Sequence, residues 1–333
     1  MIADVSGDHS IYLTHSLASL QAFLNREDVT DIYVNRPHEV WIETLGGAIE
    51  RHDVEMLDAP TLTRLAEQVA ALSHQGINRE HPLLSGTLPS GARVQIIAPP
   101  ATRGALVLAI RKHLSSGLRL ADYVSSGAFD KVSKDTVGDR AAADQELIHL
   151  RNLGDFAGLL KKAVNQRRNI LVSGGTSSGK TTFLNALIRE IAPEERLIFI
   201  EDTPELELHH ANAIGLIVTR SALGESVVTM EDLLNASLRM RPDRIILGEL
   251  RGAEAFTFLR AINTGHPGSM TTVHADSSAR AIEQIALLVL QTGTKLDRES
   301  VLHYVRSTVD IFVQLGRTGG RRHIVGVEFG MPE

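Results

Sequence analysis

The stretch NILVSGGTSSGKTTFLNALI, residues 169–188, constrains the fold of this 333-residue chain more than any other. It combines an apolar strand pattern, a loop of the form G-x-x-x-x-G-K-[ST] and a helix pattern, in that order. Glycines let backbone N–H groups turn towards phosphate oxygens, and the following helix directs the positive end of its dipole to the same point. The stretch therefore predicts a nucleotide site on the edge of a sheet.

The roles of the loop residues follow from this pattern. We expect Lys180 to reach the β and γ phosphates of ATP, and the Thr181 hydroxyl to hold Mg²⁺. The alternative is a chance glycine-rich turn, which is disfavoured because the flanking strand and helix patterns are both present. The residues predicted to bind the nucleotide are Gly174, Gly175, Thr176, Ser177, Ser178, Gly179, Lys180, Thr181 and Thr182.

The hydrophobic patterns divide the chain into two regions. Short strand patterns mix with two helical ones in the first third, the first helix being predicted over residues 11–24, which is typical of an α+β domain. Helix and buried-strand patterns alternate in the second region, as in a mainly parallel sheet covered by helices, and a final hairpin joined through Arg317 to Arg322 closes it. The segment between the two regions is polar and contains glycine. We predict domains at 1–124 and 147–333, with an exposed linker at 125–146.

Acidic side chains follow two of the predicted strands, at the edge where a parallel sheet opens towards its ligand. Glu201 and Asp202 end RLIFIED, and Glu249 ends RIILGEL. We expect Glu249 to orient the attacking water, and Glu201 with Asp202 to support Mg²⁺ directly or through water. The alternative is that these acids only cap a helix or pair with a base such as Arg251.

Two histidines flank another predicted strand in TGHPGSMTTVHAD. His274, at the end of the strand, lies at the predicted ligand edge and is a candidate sensor of the γ phosphate, whereas His266 precedes the strand. A lone histidine in such a place is more often a hydrogen-bonded structural group. His209 and His210 are adjacent and lack the spacing of metal ligands, so we predict no zinc site.

Composition narrows the possible partners and the compartment. A net charge of −6 and a pI near 6.2 give no general attraction to nucleic acid, so strong intrinsic nucleic-acid binding is not expected. The chain contains no cysteine, which excludes a disulfide framework and suits a reducing interior. No basic stretch precedes an apolar run at the start, and no segment approaches the roughly 20 apolar residues of a membrane span. We expect a cytoplasmic protein whose membrane contact is at most peripheral.

Four stretches in order resemble the Walker A, Asp box, Walker B and His box of the secretion ATPase superfamily, namely GGTSSGKTT, IEDTPEL, ILGELRG and TGHPGSMTTVHA. That superfamily powers type II and type IV secretion as well as pilus extension and retraction. LQAFLNREDVTDIYVNRPHEVWIE, SGARVQIIAPP and LAIRKHLSSGLRLADYVSSG resemble the N-terminal domain of its type IV secretion branch, especially the conjugative transfer ATPases. The resemblance covers nearly the whole chain.

The resemblance implies an α/β fold with a RecA-like P-loop ATPase domain after a separate α+β N-terminal domain, assembled as a homohexameric ring. It implies an ATP-hydrolysing motor that needs Mg²⁺ and serves a type IV secretion or conjugation apparatus at the cytoplasmic face of the inner membrane. Its partners would be inner-membrane and cytoplasmic components of that apparatus. The polar linker would let the N-terminal domain pack against a neighbouring subunit rather than its own ATPase domain.

The resemblance also implies roles at matching positions. Arginines of the N-terminal domain approach the phosphates in this family, and Arg93 and Arg111 resemble them. Ser177 departs from the glycine common there, and Gly248 stands where many P-loop enzymes place a metal-binding Asp, as is usual in the superfamily. The residues that match catalytic positions of the four boxes are Lys180, Thr181, Thr182, Glu201, Asp202, Glu249 and His274.

Three other functions stay open from the sequence. A pilus retraction motor matches the N-terminal segments less well, and a type II extension ATPase often carries a four-cysteine zinc element that this chain cannot form. A nucleic-acid translocase of the same fold is disfavoured by the net charge and by the lack of a basic stripe with interleaved aromatic residues. A non-enzymatic nucleotide-gated scaffold is disfavoured because Lys180, Glu201 and Glu249 are all present.

Overall fold

The computed structural model describes residue 13 and residues 15–113, 119–130, 136–218 and 225–330, with the backbone alone for 136–143. Its strands form two sheets, the first from the N-terminal third and the second from the rest of the chain. Within the described ranges, no helix is both long enough and apolar enough to cross a membrane.

The first sheet is antiparallel throughout, with strand order β3-β2-β1-β6-β5-β4. The helix α2 covers one face through Leu62, Leu65 and Val69, which recur at helical spacing and are fully buried. The elements of this domain are a 3₁₀ turn (Ala18–Leu20), α1 (Gln21–Asn25), β1 (Val29–Val34), β2 (Glu39–Thr44), β3 (Ile49–Asp53), α2 (Ala59–Leu72), β4 (Leu83–Thr87), β5 (Arg93–Ile97) and β6 (Val107–Arg111).

The helix predicted over residues 11–24 is not continuous. Within the described residues it is interrupted at Leu17, tightens into the 3₁₀ turn through a bond from the Leu20 N–H to the Leu17 carbonyl, and resumes as α1. Residues 1–12 lie outside the described part. The strands β3 and β4 were not predicted, since IERHD and LLSGT are too polar or too glycine-bearing to show a strand pattern.

Along the chain, the last strand of the first sheet is followed by the helices α3 (Leu120–Ser125) and α4 (Thr136–Asn152). α3 exposes its apolar side chains Leu120 and Val124, whereas α4 buries Leu147 against the core of the second sheet. α4 starts inside the interval predicted as a linker and ends beyond it. The boundary between the domains therefore stays a prediction.

The second sheet is mixed, with strand order β13-β12-β7-β11-β10-β8-β9, in which β13 alone of these strands runs antiparallel to its neighbour. Its elements are α5 (Phe156–Asn165), β7 (Ile170–Gly174), α6 (Lys180–Ile188), β8 (Leu197–Glu201), β9 (Ala213–Ile217), α7 (Met230–Ser237), β10 (Arg244–Leu247), α8 (Glu254–Asn263), β11 (Met270–Val273), α9 (Ser278–Leu290), α10 (Arg298–Thr308), β12 (Ile311–Thr318) and β13 (Arg321–Phe329).

The parallel strands place the predicted functional stretches at one edge. β7, β8, β10 and β11 are buried along their whole length, because helices cover both faces of the sheet, and their carboxyl ends open at the same side. The predicted closing hairpin is present, with a turn of just Gly319 and Gly320 rather than one spanning 317–322. β9 and α10 were not predicted.

The N-terminal domain packs against the C-terminal domain of its own chain, whereas the sequence suggested a neighbouring subunit as its partner. The segment after β5 adds to the edge strand β9: the Ile217 N–H donates to the Ala101 carbonyl and the Arg103 N–H donates to the Gly215 carbonyl, each at 2.9 Å. Apolar residues of both domains also share one core, among them Tyr33 and Leu216.

A buried arginine fixes the other half of this contact. The Arg196 guanidinium donates to Oδ1 of Asn35 at 2.7 Å and of Asn212 at 2.5 Å, and it lies 4.2 Å from the centroid of the Tyr33 ring. Burial lowers the pKa of Arg196 to about 10. Arg241 adds an ion pair to Glu43 across the same interface, at 2.5 Å.

Candidate active site

The loop between β7 and α6 forms a cavity of about 390 Å³ at the carboxyl edge of the second sheet. Gly179 adopts φ 92°, a conformation that favours glycine, and α6 begins at the next residue, Lys180. Ser177 adopts φ 60°, so the glycine common in the family has a physical reason here. The cavity is lined by Ser177, Ser178, Gly179, Lys180, Thr181, Thr182, Glu201, Asp202, Thr203, Glu205, Gly248, Glu249, Arg251, Thr272 and Arg322.

Lys180 folds back over the loop. Its Nζ donates to the Gly174 carbonyl at 3.0 Å and to His274 Nδ1 at 3.3 Å. Burial is the main cause that lowers the pKa of Lys180; Glu249 raises it and Arg251 lowers it further. The ammonium group is thus held at the mouth of the cavity, where an entering phosphate can replace the carbonyl as its partner.

The two carboxylates Asp202 and Glu249 are joined by Arg251. Arg251 Nε donates to Glu249 Oε2 at 2.8 Å, and its Nη1 donates to Asp202 Oδ2 at 2.7 Å. The pairing with Arg251 that the sequence left as an alternative is therefore present. It does not remove Glu249 from the site, since Glu249 also lines the cavity and lies 3.5 Å from His274 Nδ1.

Glu201 is buried and is held by two backbone N–H donors and one ion pair. Its Oε1 accepts from the backbone N–H groups of Glu205 at 3.1 Å and Leu206 at 2.8 Å, while its Oε2 forms an ion pair with Arg103 of the N-terminal domain. Its side chain is 3% exposed, against 27% for Asp202, so Asp202 is the acid more accessible from the cavity. A Cβ at Gly248 would lie 3.1 Å from the Glu201 Cγ, so a larger residue there would crowd the Glu201 side chain.

The two candidate histidines have different surroundings. His274 lies 3.1 Å from the Thr176 hydroxyl through Nε2 and 3.3 Å from Lys180 through Nδ1, so it touches the phosphate loop at two points. In the tautomer that accepts from Lys180, Nε2–H donates to Thr176. His266 precedes β11, at the opposite edge, where Nδ1 lies 3.0 Å from the Pro242 carbonyl and burial lowers its pKa. Its contacts are those of a structural histidine.

Arg93 and Arg111 are brought together, but not beside the phosphate loop. They are paired residues on β5 and β6, and Arg111 Nε donates to Asp31 at 2.9 Å. Both line a separate cavity of about 270 Å³, together with Arg239 after α7. None of the residues that line the phosphate cavity, within the described part of the chain, comes from the N-terminal domain.

Two arginines at the site were missed by reasoning from the sequence. Arg103 reaches Glu201 from a loop 98 positions away, and Arg322 lines the phosphate cavity from β13. Neither belongs to a motif, so nothing in the local sequence could have identified them. Arg103 also donates to the Leu206 carbonyl at 2.7 Å, and burial lowers its pKa.

The residues present fit a magnesium ion. The Thr181 hydroxyl and the carboxylates of Asp202 and Glu249 face one cavity, and Mg²⁺ prefers such oxygen ligands. No group of three histidine, aspartate or glutamate residues is arranged to hold a metal in the ranges that the structure describes. Mg²⁺ would take its remaining ligands from the nucleotide and from water.

This arrangement defines a class of protein: a P-loop ATPase with an antiparallel N-terminal domain attached to a mixed-sheet nucleotide-binding domain. Residues 137–317 match the family model described as type II/IV secretion system protein. The chain is 38% identical to the type IV secretion system protein VirB11 of Bartonella quintana, over 96% of this chain and 93% of that protein. It is 36% identical to PtlH of Bordetella pertussis, over 99% of both.

The comparison with solved structures agrees. The crystal structure of the VirB11 ATPase from the Brucella suis type IV secretion system, in complex with sulphate, matches with a TM-score of 0.90 and 36% identity over 98% of this chain and 96% of that one. The chain belongs to the type II/IV secretion system family, as a VirB11-type ATPase of a type IV secretion system. The resemblance seen in the four boxes is confirmed.

Proposed function

We propose that Glu249 orients the water that attacks the γ phosphate of ATP, giving ADP and phosphate. The observation that carries this role is the position of Glu249 at the end of β10, in the same cavity as Lys180 and 3.5 Å from His274. Lys180 neutralises the phosphates, and His274 reports their arrival by exchanging its contact with Lys180. Arg251 donates to both Glu249 and Asp202, so its positive charge offsets the repulsion between the two carboxylates before the nucleotide enters.

Mg²⁺ would be held by the Thr181 hydroxyl, with Asp202 and Glu201 supporting it through water. It would neutralise charge on the β and γ phosphates. The greater exposure of Asp202 supports a more direct part for that acid. The two backbone donors and the ion pair that already engage Glu201 support an indirect one.

The chain works as a homohexameric ring, in which Arg93 and Arg111 approach the nucleotide of a neighbouring subunit. Support comes from their place in a cavity that the phosphate loop does not line. An arginine beside a transferring phosphoryl group stabilises its negative charge, and a ring supplies such a group from the next protomer. Hydrolysis would then move one N-terminal domain relative to the adjacent ATPase domain.

The ring would act as a peripheral protein at the cytoplasmic face of the inner membrane, against other components of a type IV secretion apparatus. The relatives are named as proteins of a type IV secretion system, which supports this placement. With a net charge of −6, we expect ATP turnover to be insensitive to added single-stranded DNA. Stimulation that disappears at high salt would favour a nucleic-acid translocase instead.

Two variants test the assignment by separating binding from chemistry. Glu249→Gln should lower kcat by roughly 10²- to 10⁴-fold, since it removes the acid that positions water, and should leave ADP binding unchanged. Lys180→Ala should weaken binding of both nucleotides by at least about tenfold, since it removes a charged phosphate contact. The control is Glu283→Gln, a change on the surface of α9 that removes the ion pair between Glu283 and Arg298. Turnover by Glu249→Gln equal to that of the control would contradict the role.

A further inference from the structure

The C-terminal hairpin runs beside the phosphate loop. β12 is parallel to β7, with Gln314 opposite Ser173 and Leu315 opposite Gly174, so the hairpin continues past the point where the loop begins. The chain reverses at Gly319 and Gly320, whose φ values of 57° and 83° favour glycine. β13 therefore returns its first residues towards the cavity.

Arg322 lies across the last residue of the loop. A Cβ built on Gly179 would be 2.9 Å from the Cδ of Arg322, 3.5 Å from its Nε and 3.6 Å from its Nη1. The same side chain lines the phosphate cavity. The Arg322 side chain thus occupies the space beside Gly179 that a side chain at that position would need.

Within the part of the chain that the structure describes, no ion-pair or hydrogen-bond partner is found for Arg322. Its two neighbours at the site differ, because Arg251 is paired with Asp202 and Glu249, and Arg103 with Glu201. Arg322 joins Lys180 and the positive end of α6 around one cavity. These three positive groups lie at the loop, whereas the acids of the cavity lie at and after the ends of β8 and β10, so a phosphate that enters beside Gly179 would be attracted by all three.

The order of the strands indicates which part of the nucleotide faces Arg322. Glu249 follows β10 and His274 follows β11, on one side of β7, whereas Arg322 comes from the β12 side. The attacking water and the γ phosphate belong to the side of the carboxylate. Arg322 therefore faces the phosphates that remain on the product.

We propose that Arg322 is a nucleotide-binding residue that contacts a non-transferred phosphate, present in ATP and ADP alike. This rests on the proposed nucleotide site at the P-loop. A contact made equally in the bound substrate and in the transition state strengthens binding without changing the chemical step. Arg322 would thus set the affinity for nucleotide and its retention after hydrolysis.

The test compares Arg322→Ala with Arg321→Ala. Arg321 is the preceding residue on β13, is exposed and does not line the cavity, and alternation places its side chain on the opposite face. Arg322→Ala should raise the dissociation constants of ADP and ATP by about tenfold each, as for a lost charge-assisted hydrogen bond, and raise KM with little change in kcat. Arg322→Lys should recover part of the affinity, and Arg321→Ala should bind as wild type.

Two results would overturn the inference. Equal ADP affinity of Arg322→Ala and Arg321→Ala, with kcat also equal, would make Arg322 an ordinary surface residue. A fall in kcat with ADP affinity unchanged would place it on the transferred phosphate instead. Melting of each variant without nucleotide shows that the fold is retained, and Lys180→Ala measured in parallel separates this outcome from failure of the whole P-loop assignment.

Discussion

The phosphate cavity and the cavity lined by Arg93 and Arg111 differ in what they contain. The phosphate cavity mixes cations with acids: Lys180, Arg251 and Arg322 lie there with Asp202 and Glu249. The second cavity brings together Arg93, Arg111 and Arg239, and no carboxylate is found among the described residues that line it. The first holds the phosphate loop together with the candidate catalytic acids, whereas in the second Arg111 is paired with Asp31, which lies outside the lining.

The two cavities also differ in which domains supply their lining residues. One cavity is built within the ATPase domain, from strand ends that meet by the rule of parallel sheets. The other is built from β4, β5, β6 and the end of α7, so it straddles the domains. In the proposed ring, arginines placed there would complete the catalytic site of another copy. Three substitutions sharpen this comparison, in order of decreasing effect.

The largest effect is expected from the second cavity. Arg111→Ala should lower kcat by at least about tenfold in assembled protein, because it removes positive charge from the transferring phosphoryl group of a neighbour. ADP affinity of unassembled chains should not change, since Arg111 is outside the phosphate cavity. Steady-state turnover and equilibrium ADP binding measure the two quantities, with Arg64→Ala, an exposed change on α2, as the control. Loss of ADP affinity in unassembled Arg111→Ala would place it at its own chain's nucleotide.

A smaller effect, on stability, is expected at the ion pair between Arg103 of the N-terminal domain and Glu201. Arg103→Ala leaves Glu201 buried without its cation, so the free energy of unfolding should fall by about 3 kcal/mol. Arg36→Ala removes another contact across the same interface, to the Ala211 carbonyl, and an ion pair to Glu39. Because Arg36 is exposed and Glu39 keeps Arg51 as a partner, this change should cost under about 1 kcal/mol. Denaturant unfolding compares the two. Equal losses would mean that the Arg103 ion pair contributes nothing specific.

The smallest effect is expected within the loop itself. Ser177→Gly places glycine at φ 60° and relieves roughly 1 kcal/mol of backbone strain, part of which is offset by the greater freedom of glycine in the unfolded chain. Nucleotide affinity should stay close to that of the wild type. Thermal unfolding and ATP binding measure both. A marked drop in affinity would show that the serine side chain itself contacts the nucleotide.

The residues that were predictable from the sequence are those fixed by local pattern. Strand–loop–helix periodicity identified the phosphate loop, and Glu249 and His274 were found at the predicted edge because parallel strands align their carboxyl ends. Arg103 and Arg322 were not predictable, since each reaches the site through tertiary packing from a segment without a motif. The strands of Arg93 and Arg111 were foreseen, but the cavity they line depends on how the domains dock.

The central claim is that the second cavity serves the nucleotide of a neighbouring copy, and mixing two inactive variants tests it most directly. Lys180→Ala chains keep the arginines without a working P-loop, and Arg111→Ala chains keep the P-loop without Arg111. ATP turnover of the mixture, with assembly followed by light scattering, should rise above that of either variant and peak near equal proportions, because some interfaces pair an intact loop with an intact arginine. Turnover that never exceeds the sum of the two parents, in rings shown to be mixed, would contradict the claim.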